Sequence, residues 1–242
     1  MHRTISRFLA LFLLLLALAI CLPGCADPPG EPFSLPTEPP LPPEPGDGYL
    51  GTLYYPDNEL RFLVPVQRAI PETETVVRNT LEQLVETPQL EKELKPLGLV
   101  PLLPEKTVIL GIHIGETGPA RVDFNSPFLQ YDPSAERLVL GGLLCTLRQF
   151  PQVEQLKIMV EGDSPEKFPG GTPGAIPLGP ECLLNLEVDD ALDDYLNYTA
   201  VTIYFCLPTP QGRTLYVPVT RALQPVEEHR VAALKELLDG PR

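Results

Sequence analysis

"LVPVQRAI", residues 63–70, and "YVPVTRAL", residues 216–223, spell nearly the same strand twice. At an offset of 153, Val64-Pro65-Val66-Gln67-Arg68-Ala69 falls on Val217-Pro218-Val219-Thr220-Arg221-Ala222. The same offset carries Leu81 onto Leu234, Leu84 onto Leu237 and Pro88 onto Pro241. Upstream, at an offset of 150, Thr52-Leu53-Tyr54-Tyr55 falls on Thr202-Ile203-Tyr204-Phe205. The change of offset lies between two apolar runs, where a hairpin loop tolerates a change of length. The repeated unit therefore reads strand, turn, strand, helix. A period near 150 is the spacing of tandem domains rather than of a solenoid.

Outward from the first copy, Leu50–Tyr55 and Leu60–Val66 read as two short strands. Pro65 removes a ladder donor and marks its strand as an edge or a bulge. Thr73–Glu86 reads as a helix with Val77, Leu81 and Leu84 on one stripe, ended by Pro88. Leu90–Pro104 reads as a proline-rich loop, Thr107–Ile114 and Ala120–Phe124 as strands around the turn at 115–118. Asp132-Pro133 is a cap followed by a first-turn proline, opening a helix to about Gln149. Leu140, Leu143, Leu144 and Leu147 are its buried stripe. Gly141-Gly142 inside it costs about 1 kcal/mol each relative to Ala, which points to close packing there. Gln155–Glu161 is a last strand. The predicted fold is α+β, a β-β-α-β-β-α-β layer with helices on one face. An incomplete second copy, a hairpin and one helix, follows it.

The chain opens with basic residues and an apolar run, Phe8–Leu22, too short for the ~20 residues of a comfortable membrane crossing. Leu22-Pro23-Gly24-Cys25 at its end reads as a lipobox: a small residue before a cysteine whose thiol takes a diacylglyceryl group. Pro23 departs from the usual small or β-branched residue there. Residues 1–24 are then a lipoprotein signal peptide and Cys25 the lipidation site. Nine of the 19 residues from Asp27 to Pro45 are proline, with no Lys or Arg. Residues 25–48 form an acidic linker that extends rather than buries a core. The remaining bounds are 49–188 for the first domain, 189–200 for an acidic linker, and 201–242 for the second copy. With 18 Lys+Arg against 32 Asp+Glu and a formal charge of −14, the chain is unsuited to nucleic acid or anionic lipid surfaces. The membrane link is expected through the lipid at Cys25, on the extracytoplasmic face of the cell membrane. Cys145, Cys182 and Cys206 show no C-x-x-C spacing; a Cys182–Cys206 bridge stays open.

"TLYYPDNELRFLVPVQRAIP", the amphipathic helix after it, "VDFN" at 122–125, "RQFPQVEQLKIMVEG" and "FPGG" at 168–171, in that order, resemble the GerMN domain of sporulation and spore germination lipoproteins. The resemblance covers about residues 50–180 and the start of a second copy at 201–242. It implies a non-catalytic domain similar to ring-building motifs, often in tandem. The implied partners are other proteins of an envelope complex, self-association in a ring included. It brings no catalytic residues with it.

The residues agree on chemistry. His113 lies in a strand between two isoleucines and reads as a satisfied or surface strand residue rather than a catalytic one. Gly162-Asp163-Ser164 reads as a turn rather than a nucleophile elbow. Asp189-Asp190 and Asp193-Asp194 read as a solvated linker rather than a calcium site, and Asp123 as a strand residue that faces water or bonds to the backbone rather than a buried carboxylate. No cofactor, metal or catalytic group is expected. The leading reading is a lipid-anchored interaction module. The alternative is an extracytoplasmic binder of cell-wall polymer or small ligand, with Tyr54-Tyr55 as its platform and an exposed aromatic groove as its signature. A hydrolase without a visible site is the third. The helix of the second copy carries Val231, Leu234, Leu237 and Leu238, a stripe that wants a partner: the first domain, another chain, or none. Residues 201–242 are expected to be less ordered than 50–180, with the helix loosely packed.

Overall fold

The computed structural model describes residues 48–179, 184–194 and 196–241. The expected signal peptide and lipidation site, Cys25, and also Cys182 lie outside the described residues.

Strands β1 (Gly48–Pro56) and β2 (Leu63–Pro71) form an antiparallel hairpin with Tyr54 opposite Pro65. Alternation sorts β1: Leu53 and Tyr55 are buried, Thr52 and Tyr54 face outward. Asp57 closes the turn, its carboxylate accepting the backbone N–H of Arg61 at 2.6 Å and of Phe62 at 2.8 Å. The outer edge of β1 is held by side chains. The Gln149 amide takes both the N–H and the C=O of Thr52, and Thr146 Oγ1 accepts the N–H of Tyr54. A sheet edge satisfied in this way has no free ladder groups there to pair with another strand.

Helix α1 (Val76–Glu82) follows. The expected loop at 90–104 begins instead within a second short helix, α2 (Pro88–Leu94). Pro88 both ends the first helical pattern and occupies the first turn of the next, where its missing N–H costs nothing. Thr87 caps it, accepting from Leu90 N–H at 3.1 Å. Strands β3 (Ile109–His113), β4 (Ala120–Phe124) and β5 (Leu156–Val160) make a second ladder. β3 and β4 are antiparallel; β4 and β5 are parallel, so the chain between them must cross over, and α3 (Glu136–Leu147) is that crossover. The α+β class is that predicted, and the element order is too apart from the added α2, with the five strands divided between two ladders. α3 buries its leucine stripe, and a Cβ on Gly142 would stand 2.8 Å from the Leu102 side chain, which explains the glycine.

The second copy supplies β7 (Thr199–Pro208), β8 (Thr214–Leu223) and α4 (His229–Leu238). A short strand, β6 (Leu186–Val188), pairs parallel to β8, giving the order β6-β8-β7. The end of the expected first domain, 186–188, thus belongs to the sheet of the second copy, and the boundary at 188 falls inside one ladder. The hairpin is not loosely packed. Ile203, Val217 and Val219 share one buried cluster with Leu53, Leu63 and Leu143. The helix stripe is different: Leu234 is 58 % exposed where its counterpart Leu81 is fully buried.

Asn185 joins the two hairpins. Its Oδ1 accepts from Leu63 N–H at 2.7 Å, and its Nδ2 donates to the carbonyls of Leu63 at 2.8 Å and Pro218 at 2.7 Å. It is buried and sits at φ +48°, a left-handed position that asparagine tolerates better than most residues.

Candidate functional site

The polar side chains of the repeated motifs are occupied in holding the fold. Arg68 Nε donates to Gln83 Oε1 at 2.9 Å, and its Nη2 meets Glu93 at 2.6 Å. Arg221, its counterpart, is fully buried. It donates to the Glu236 carboxylate at 3.1 Å and the Glu236 carbonyl at 2.8 Å, to Glu187 at 2.8 Å and to the Gly240 carbonyl at 2.7 Å. Gln83 and Glu236 are themselves 153 residues apart, so the repeat preserves an interaction: the strand arginine pins the helix that follows. The aromatic residue beneath is repeated too. Arg221 Cζ lies 5.4 Å from the Phe205 ring, and Tyr55, at the matching place, donates to the Gln83 carbonyl at 2.9 Å. Burial pushes the Tyr55 phenol up to about 12.

Asn125 of "VDFN" bonds to Val108 N–H and the Lys106 carbonyl. Asp123 accepts from Gly162 N–H at 3.0 Å, the backbone-bonded one of its two expected readings. "FPGG" wraps a buried carboxylate: Glu136 accepts from Gly170 N–H, from Thr172 N–H at 2.9 Å and from Tyr131 Oη at 3.2 Å. Burial pushes the Glu136 carboxyl up, and these hydrogen bonds, led by Thr172, outweigh it and hold it below the usual range. A Cβ on Gly170 would come within 2.7 Å of the Pro133 carbonyl, so only glycine fits.

The surface candidates divide. His113 is exposed on β3. Asp189 and Asp194 accept from the N–H groups of Ala191 and Leu196. Asp193 accepts from Gln224. Among the described residues no group of three His, Cys, Asp or Glu is placed to hold a metal ion. Cys206 is exposed on β7. Tyr54 and Tyr55 part company, since neighbours on a strand face opposite ways: Tyr55 enters the core and Tyr54 lies half-buried on the other face.

Tyr54 lines a groove of about 510 Å³ between the outward faces of the two hairpins. Each hairpin contributes equivalent residues: Thr52 and Thr202, Tyr54 and Tyr204, Pro65 and Pro218, Gln67 and Thr220. Within each ladder the tyrosine stands directly opposite the proline. Tyr216 adds a third ring, and Tyr204 and Tyr216 are 59 % and 63 % exposed. Burial, with the Cys145 thiol and the Tyr204 hydroxyl nearby, pushes the Tyr54 phenol up. The sequence carried this signal in the matched Thr-x-Tyr of both copies, but only Tyr54-Tyr55 were singled out.

The family described as "Germane: Sporulation and spore germination" matches residues 52–166. Residues 52–166 are a GerMN domain. The chain is 29 % identical over 182 residues to the spore germination protein GerM of Bacillus subtilis (strain 168), covering 74 % of this chain and 49 % of that protein. It thus spans about half the length of this curated relative. The solved tandem GerMN domains of the Bacillus subtilis sporulation protein GerM superpose with a TM-score of 0.69 at 27 % identity, covering 81 % of this chain and 68 % of that one. The β2 and β8 arginine pairs and the groove both arise from repetition of the opening unit of the GerMN domain, placed face beside face.

Proposed function

We propose that this GerMN-domain protein is a non-catalytic, lipid-anchored interaction module that acts outside the cytoplasm in envelope assembly during sporulation or spore germination. Its similarity to GerM over 182 residues carries the reading. Two further features support it. The polar side chains of the GerMN motifs are spent on internal hydrogen bonds, leaving binding to the surface. The apolar run and Leu22-Pro23-Gly24-Cys25 supply a lipidation signal, and a diacylated cysteine holds a protein on a bilayer more firmly than one chain does. No helix among the described residues is long and apolar enough to cross a membrane.

The test is fractionation and phenotype together. Cys25→Ala should leave the membrane fraction or remain unprocessed, while Cys21→Ala should behave as the parent. A strain lacking the chain should sporulate or germinate less efficiently and be rescued by the parent but not by Cys25→Ala. A Cys25→Ala protein that is still processed and membrane-bound rules out the anchor. Normal sporulation and germination without the chain rule out the role.

A further inference from the structure

We infer that the groove between the two hairpins binds an uncharged polysaccharide, one repeating unit on each copy's Thr-Tyr-Pro surface. The first ground is repetition. Two quasi-equivalent half-sites, Thr52, Tyr54 and Pro65 on one hairpin and Thr202, Tyr204 and Pro218 on the other, match a ligand that itself repeats. The second is the character of the walls. Three tyrosine rings offer broad, rigid faces that suit the apolar C–H face of a sugar ring. The hydroxyls of Thr52, Thr202 and Thr214 and the amide of Gln67 both donate and accept, as do the hydroxyl and acetamido groups of a glycan.

The third ground is charge. Among the described residues that line the groove, none is acidic or basic. An ionised ligand would lose water there without gaining a partner. An anionic polymer would also meet a chain of formal charge −14. Volume agrees: about 510 Å³ lies inside the ~300–1,000 Å³ range of small-ligand sites, open enough for a polymer to run through. Finally, two tyrosines as exposed as Tyr204 and Tyr216, flanked by prolines, make an aromatic surface that folding alone does not require.

The probe is the β-1,4-linked hexamer of N-acetylglucosamine, titrated by calorimetry into the full purified chain. Saturable binding is expected, equal at low and high salt because the ligand is neutral. The hexamer should bind about tenfold or more tighter than the single sugar N-acetylglucosamine, which reaches one half-site only. Tyr204→Ala and Tyr216→Ala should each weaken binding about tenfold or more. Both rings are exposed, so circular dichroism should be unchanged. Thr202→Val keeps the shape while removing a hydroxyl, and should also weaken binding. Tyr198→Ala, outside the groove, should not.

Absence of saturable hexamer binding overturns the inference. So does binding that Tyr204→Ala leaves intact, or a groove that takes a decaproline peptide in place of the hexamer. Cys25→Ala should change fractionation and leave glycan affinity untouched, so this inference and the proposed anchor fail separately.

Discussion

At Asn185 a single side-chain amide supplies what a neighbouring strand otherwise would, taking both backbone groups of Leu63 and the carbonyl of Pro218. Asn185→Gly keeps the left-handed backbone comfortable and removes only the amide. Three buried backbone groups then lose their partner, at about 1–3 kcal/mol for each left unsatisfied by water. A loss of at least about 2 kcal/mol in urea denaturation is expected, and a change within error would show that water replaces the amide. Glu136 makes a pH prediction. Its carboxyl is held below 4.5 in the folded chain and returns to about 4.5 on unfolding. A depressed folded value means the ionised form is the one the fold binds. Its contribution is therefore complete above pH 4.5 and fades as pH falls through the folded value. Melting temperature followed down from pH 6 should fall more steeply in the parent than in Glu136→Gln; parallel curves would contradict this.

Between elements, the two strand arginines allow a matched comparison. Arg221 is fully buried with two carboxylates, whereas Arg68 is about a quarter exposed. Arg221→Met should cost about 3–5 kcal/mol, because it removes a fully buried cation from its pairs with Glu187 and Glu236 and from two helix-end carbonyls. Arg68→Met should cost about 1 kcal/mol or less. Hydrogen exchange should also speed up across 229–238 in Arg221→Met and hardly at all across 76–82 in Arg68→Met. Equal effects in the two variants would remove the arginine pin as the reason the helix stays in place. The arginines were visible in the sequence as part of a repeated phrase, but their partners were not. A strand's period shows which residues face inward and says nothing of which distant helix residue they meet. Periodicity did reveal β4 and the leucine stripe of α3, and the cost of two glycines inside that helix pointed to the tight contact at Gly142. It missed α2, because Thr87-Pro88 reads equally as the end of one helix and the cap of the next. It missed β6, three residues long and given meaning only by a partner 34 positions later. The groove was half legible: the Thr-x-Tyr match was present, yet only folding places the two copies face beside face.

Across the molecule, the first domain and the hairpin of the second copy share one core, so they should unfold together. A single calorimetric transition is expected for the full chain. A chain ended at residue 179 should melt lower, having lost Asn185 and the packing of Ile203, Val217 and Val219. Two separate transitions, or an unchanged melting temperature in the shorter chain, would show two independent bodies. The order β6-β8-β7 also sets a timetable. During synthesis β2 appears early, but its Leu63 waits for Asn185, and Asn185 is fixed only when β8 arrives some thirty residues later. Long-range pairing of this kind is slow to form. A nascent chain therefore passes through an interval in which its first domain is translated but not yet latched. A chaperone that binds unpaired strands would find its substrate in that interval and lose it once residue 223 is free to pair.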